Sequence, residues 1–384
     1  MRRERGRRPE RSKEGVVAWR CRALVVLCAI PVLLVCATTA VPAPPLRVES
    51  LPPPLIAVLP FENLSASSAP LKEMRAHLVK RLQMRGMKLL GEEELLALMK
   101  AYRVRYTGGV EPRVAESFRG EAGVGGVLIT SLGLYMDHIP PRVTLVSRLA
   151  GTDAPYTVIW ADSVSLSGDD APGILGLGLV YSVEVLMPRA LDRLANSLAA
   201  HLLSEKPPTA DRRVGTRYRP RGFYRSPVMS EGKRYSVAVL PFVNQSARRY
   251  AGELIALKII EQLRKSEGFE VLEPGIMRDE LLQFRIIFPE GASMADADIL
   301  FERTKVDLLI TGKVMDYDDS RGPGGAPNVT FYMQVIERQS RQVVWASHST
   351  NRGDDGVFFF GAGRVTTADA LASKMMAAVI QRIR

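Results

Sequence analysis

A ten-residue phrase occurs twice in this chain. Ile56-Ala57-Val58-Leu59-Pro60-Phe61-Glu62-Asn63-Leu64-Ser65 returns as Val237-Ala238-Val239-Leu240-Pro241-Phe242-Val243-Asn244-Gln245-Ser246, identical at seven of ten positions and offset by 181 residues. The offset recurs at Val127-Leu128-Ile129-Thr130 against Leu308-Leu309-Ile310-Thr311. It drifts to 185 for Trp160-Ala161 against Trp345-Ala346 and for Gly168-Asp169-Asp170 against Gly353-Asp354-Asp355, and Gly176 and Gly178 match Gly361 and Gly363. Collinear matches over so long a stretch constrain the chain to one supersecondary plan written twice. The body divides into repeat 1 at 55–204 and repeat 2 at 235–384, each large enough for its own core.

Periodicity reads the same way in each copy. Residues 55–59 and 235–240 are short apolar runs stopped by Pro, as buried strands are when an amide donor is missing. Leu71, Met74, Leu78 and Leu82, and later Ile255, Ile259 and Leu263, are spaced for one buried helical face. Gly86 and Gly268 end those helices before second strands at Met87–Leu90 and Phe269–Leu272. Shorter helices follow at Glu92–Ala101, Arg113–Phe118, Ile276–Phe284 and Ala295–Thr304, then strands at Val127–Leu132 and Leu308–Val314. Arg142–Leu149 with Tyr156–Val164, and Val329–Ile336 with Gln342–His348, predict antiparallel hairpins. A long amphipathic helix closes each copy, over Leu186–Leu202 and Ala368–Ile383. The fold class is therefore α/β: two tandem copies of a mixed-sheet β-α-β-α-α-β-β-β-α domain, preceded by an N-terminal hydrophobic helix.

Charge is unevenly placed. The formal net charge is +11, but residues 1–22 hold nine Lys/Arg against three Glu, so over half of the excess is a basic leader. An uncharged apolar segment at 23–40 follows, in the order an export signal requires, because positive charge stays on the cytoplasmic side. With Val41 it is also just long enough to span a bilayer, which takes about 17–25 residues. Leu33-Leu34-Val35-Cys36 offers a third fate, since it resembles a bacterial lipobox and departs from it at Val35, where Gly, Ala or Ser is expected. Acylation of Cys36 would anchor the mature chain by burying acyl chains. Signal peptide, uncleaved anchor and lipid anchor all remain open. Residues 41–54, with six prolines, read as an extended tether. All three cysteines precede residue 37, so the body has no disulfide and no thiolate chemistry.

The repeated phrase, the Leu308–Gly312 strand and the Val343–Ala346 strand resemble the curli-export lipoprotein family and the amino-terminal domain of the translocation protein TolB. That resemblance covers nearly all of both copies and implies a bacterial envelope protein, exported and often lipidated, that acts by binding partners and assembling. The chain departs in carrying two copies, and in lacking a pair of long alternating hairpins with about ten residues per spanning strand, as a pore subunit contributes.

Candidate chemistry is sparse. Asn63/Ser65 and Asn244/Ser246 follow the first strand of each copy, where α/β sheets bind ligands, but capping of the next helix explains polar residues there in both copies and is the expected role. Asp169-Asp170, Asp354-Asp355 and Asp316/Asp318/Asp319 lack calcium-loop spacing, and His77, His138, His201 and His348 are scattered. Gly120–Gly126 lacks the Gly-Lys-Ser/Thr ending of a phosphate loop. No catalytic, metal or cofactor residue is assigned, and the chain reads as non-enzymatic.

The stretch 205–234 is basic, with Arg212, Arg213, Arg217, Arg219, Arg221 and Arg225 among interleaved Tyr218, Phe223 and Tyr224. It reads first as a Pro-stiffened linker and second as a docking surface for anionic head groups or an acidic partner; nucleic acid suits an exported protein poorly. The expected partners are envelope proteins and a membrane, with a homo-oligomer as a further option. The expected place is the periplasmic face, at the outer membrane if the chain is lipidated and the inner if the anchor is uncleaved. Two other functions compete: a ligand-binding or catalytic cleft between the copies, and an oligomeric outer-membrane channel subunit.

Overall fold

The computed structural model describes residues 54–170, 178–203, 216–229, 232–287, 292–319, 325–355, 357 and 363–383. The basic leader, the apolar segment, Cys36, nearly all of the tether, Arg212 and Arg213 lie outside the described residues, as do Gly176 and Gly361.

In the first half the order is β1 (Ile56–Val58), β2 (Glu62–Asn63), α1 (Leu71–Met84), α2 (Glu92–Ala101), α3 (Pro112–Ala122), β3 (Gly126–Met136), β4 (Arg142–Gly151), β5 (Val158–Ser167) and α4 (Val183–Leu203). The second half carries β6 (Gly222–Arg225), β7 (Tyr235–Val239), β8 (Val243–Asn244), α5 (Ala251–Lys265), β9 (Phe269–Val271), α6 (Pro274–Gln283), α7 (Met294–Thr304), β10 (Leu308–Asp318), β11 (Asn328–Glu337), β12 (Gln342–Arg352) and α8 (Ala368–Ile383). Both sheets are mixed. The first runs β1-β3-β4-β5 and the second β6-β12-β11-β10-β7-β9, with β2 and β8 beside β3 and β10. Strands joined through helices pair in parallel and the hairpins pair antiparallel, because only a crossover can return a chain in the same direction.

Three details differ from the sequence reading. First, Met87–Leu90 forms only a bridge, Ile56 to Leu89, where the second half has the strand β9. Second, β1 pairs Ala57 with Val127 while β7 pairs Ala238 with Leu309. Val127 therefore corresponds to Leu309, an offset of 182, not 181. The extra residue enters after α1 and α5, in the turn from Leu82 to Gly86 in the first half and from Leu263 to Gly268 in the second, both glycines at positive φ. One residue matters here, because a slip of one turns every side chain to the opposite face. Third, the basic stretch read as a linker contributes structure. A 3₁₀ turn at Thr216–Tyr218 buries Tyr218, and β6 adds an edge strand to β12 with Phe223 stacked on Trp345.

The layers explain α5. Helices α1 and α4 cover one face of the first sheet, packing Met74, Leu78, Leu82, Leu191 and Leu194 against Leu128, Leu145 and Trp160. On the other face Val146, Val158 and Ala161 meet α5 and α8, which also pack on Phe331, Met333 and Val335 of the second sheet. Helix α5 lies between two sheets and is accordingly apolar on several sides: Leu254, Ile255, Leu257, Ile259 and Ile260 are all buried. Helices α2 and α3 complete the first sheet and α6 and α7 the second. The described residues form a single compact unit.

Candidate functional site

Most of the buried charged groups among the described residues lie at the seam between the halves. Lys258 on α5 lies 2.6 Å from Asp369 on α8 and 3.4 Å from Glu261, all three side chains shielded from water. Ser163 of β5 donates to Glu261 at 2.6 Å, and Ser165 donates to Asp369. Lys265 reaches both Asp162 and Glu261 at 2.7 Å. Burial opposes the charge of Glu261, but the Lys258 and Lys265 ammoniums overcome it and hold the carboxyl down to about 2. At Lys265 burial likewise opposes the charge, and Glu261 and Asp162 carry its pKa up. A buried ionic seam of this kind is expensive to desolvate and is disrupted severely by losing one member. It fixes how the two sheets stack.

At one end of the seam a cavity of about 390 Å³ opens between the halves. Its wall is apolar, from Leu64, Val239, Pro241, Ala256, Leu257, Ile260, Leu281 and Leu282, and its polar end gathers Glu62, Tyr106, Arg148, Glu253 and Arg278. Arg148 of β4 is 2% exposed and grips Glu273, the N-cap of α6, at 2.8 and 3.0 Å, and the Gly108 carbonyl at 2.7 Å. Burial and then the Glu62 charge push the Tyr106 hydroxyl up, so it stays protonated. Glu62 accepts from Ser131 at 2.6 Å, and Arg278 lies 4.0 Å over the Tyr106 ring. The groove can hold an apolar body and present both donors and acceptors to a polar end. Sequence order could not assemble it, because its residues come from six separated elements. The one available signal was Arg148, a cation in mid-strand between Leu145 and Leu149.

A second exposed feature is the free edge at β6. Phe223 (49% exposed), Tyr224 (54%) and Val228 (46%) stand beside the exposed Arg219 and Arg221. Arg382 of α8 approaches the Phe223 ring at 5.0 Å, and Arg217 and Lys374 flank Tyr218. Arg225 pairs with Trp345 across the ladder and is half-buried. Four of the six arginines singled out in the sequence are thus gathered around one sheet edge and the end of α8.

Other marked residues have structural roles. Asn63 accepts from the amide and hydroxyl of Ser65 and donates to the Ser67 carbonyl, and Asn244 repeats this with Ser246 and Arg248. These side chains close their own loops. They do not cap the following helices, which start at Pro70 and Tyr250 without a side-chain cap, contrary to the capping expectation. Asp170 and Asp355 accept from the amides of Ser167 and Arg352 at the ends of β5 and β12. Asp319 accepts the Ala368 amide at the start of α8 at 2.7 Å; burial raises its carboxyl, partly offset by that bond and by Arg248. Among the described residues no three His, Cys, Asp or Glu are grouped to hold a metal ion, and no helix is long and apolar enough to cross a membrane.

No known protein family matches the chain, and no curated protein does. Among solved structures it is similar to the PelC dodecamer from Paraburkholderia phytofirmans, at 18% identity over 42% of this chain and 94% of that one, with a TM-score of 0.30. It is similar to the lipoprotein GNA1162 from Neisseria meningitidis at 21% identity, over 38% of this chain and 99% of that one, with a TM-score of 0.28. The C-terminal domain of LpoB from Escherichia coli matches at 10% identity, over 32% and 87% of the two chains, with a TM-score of 0.24.

Proposed function

We propose that the chain is a non-enzymatic protein of the bacterial cell envelope, held at the periplasmic face of a membrane by residues 23–40 or through Cys36. Its two tandem α/β copies supply binding surface for partner proteins of an envelope assembly or secretion system. The observation that carries this reading is the β6 edge: among the described residues β6 pairs on one side only, with β12, and Phe223 and Tyr224 on it and Val228 just beyond it stay exposed. Exposed apolar side chains rimmed by polar ones mark interaction sites, and an open strand edge can accept another chain.

The copies support the same reading through what they do not share. Helix α1 aligns with α5 at an offset of 181, so His77 and Lys80 stand where α5 has Lys258 and Glu261. The polar seam is specific to the junction, and it is built from ion pairs that position layers, with no nucleophile–base pair repeated. The arginine stretch, Arg212, Arg213, Arg217, Arg219, Arg221 and Arg225, adds docking onto an anionic surface by charge. Replacing all six by Gln and measuring binding to phosphatidylglycerol vesicles tests that docking; unchanged binding discards it. Co-purification from cross-linked envelopes tests the partner-binding role, with Phe223→Ser/Tyr224→Ser as the contrast. The cavity between the halves favours one second reading, a ligand-binding cleft.

A further inference from the structure

The polar end of the inter-half cavity is not balanced in charge. Its two arginines are already engaged by carboxylates outside the cavity lining: Arg148 by Glu273 at 2.8 Å, and Arg278 by Glu111 at 3.8 Å. Its two glutamates have no cation within ion-pair distance among the described residues. Glu62 takes a single hydroxyl bond from Ser131. Glu253 stands at the rim; partial burial first, and then the Glu62 charge, raise its carboxyl, which places the two within electrostatic reach. Tyr106 and Tyr250 line the same end, each with an arginine already over its ring, Arg278 and Arg249. Beyond them the groove is walled by aliphatic side chains of α5 and α6, ending at the exposed Leu282. The volume falls within the usual range of small-ligand sites, about 300–1,000 Å³.

We infer that this cavity binds a small amphiphile with a cationic head, its apolar body lying against Leu257 and Ile260 and its head between Glu62 and Glu253. An anionic head would meet two carboxylates that no cation pairs and is disfavoured. A neutral apolar molecule would leave them facing an apolar body at a desolvation cost. The site is separate from the β6 edge, so its failure would leave the partner-binding reading standing.

The test compares two water-soluble probes of matched shape, 4-phenylbutylamine and 4-phenylbutanoate, by isothermal titration calorimetry on the full-length chain. The amine binds saturably and the carboxylate at least tenfold more weakly. Glu62→Gln/Glu253→Gln weakens the amine at least tenfold with thermal melting unchanged, and Leu282→Arg, an exposed substitution that adds a cation at the mouth, weakens it as well. Absence of saturable amine binding overturns the inference. So does equal binding of the two probes, or amine binding that neither variant alters.

Discussion

Lys258 and Asp369 join α5 to α8 by an ion pair at 2.6 Å from which water is shut out. Glu261 is the third member, 3.4 Å from the same ammonium. Lys258→Met leaves the buried Asp369 without its cation and Glu261 with Lys265 alone, and a stability loss of about 3–5 kcal/mol is expected in urea unfolding. The exposed Lys305–Glu302 pair is the contrast; Glu302→Gln should leave the unfolding midpoint where it is. Equal effects of the two substitutions would show that the seam does not hold the layers.

Acid should loosen the same seam. The Glu261 carboxyl is held at about 2 against an ordinary 4.5, because Lys258 and Lys265 outweigh its burial. A depressed carboxylate contributes stability that is present above about pH 4.5 and is lost as pH falls toward 2, at most ~3 kcal/mol. Asp319 works the other way, since burial raises it and its protonation on acidification favours the folded state. Urea midpoints at pH 6 and pH 3 therefore differ more in the native chain than in Glu261→Gln. An identical drop in both would contradict this.

Close backbone approach makes a third expectation. A Cβ on Gly275, in the first turn of α6, would lie 2.4 Å from the Val110 amide nitrogen and 2.5 Å from its carbonyl oxygen. Neither backbone can yield without moving one half against the other, so Gly275→Ala should cost about 1–3 kcal/mol. Gly91, the N-cap of α2, has open space around it, so Gly91→Ala costs only the poorer capping of Ala, under about 1 kcal/mol. Thermal melting of the two variants separates these cases.

Sequence periodicity located most elements because each strand and helix shows one buried face to a local pattern. The hairpins β4–β5 and β11–β12 and the long helices α4 and α8 fall within a few residues of where alternation and 3.6-residue spacing put them. Strand β6 escaped notice because four residues, Gly222–Arg225, sit in a Pro- and Arg-rich stretch and gain their order only by pairing with β12. The seam escaped for a related reason. Ile255, Ile259 and Leu263 account for a single buried face that leaves out Lys258 and Glu261, yet α5 also carries Leu254, Ala256, Leu257 and Ile260 off that stripe. Compared with α1, where Met74, Leu78 and Leu82 are the buried residues, that surplus was the sign of a helix covered on both sides. The one-residue slip between Val127 and Leu309 was hidden because Leu308 and Leu309 are interchangeable by eye, and only the ladder register distinguishes them.

The central claim is that this chain works in the envelope by surface contact, and the β6 edge is where it can be tested most directly. Native chain and Phe223→Ser/Tyr224→Ser are captured from cross-linked envelopes, and the bound proteins are compared. The account predicts that the native chain is recovered from the membrane fraction with a defined companion, and that the variant, equally folded, loses it. Recovery of the full-length chain free in the cytosol, or an unchanged companion set in the variant, would contradict it.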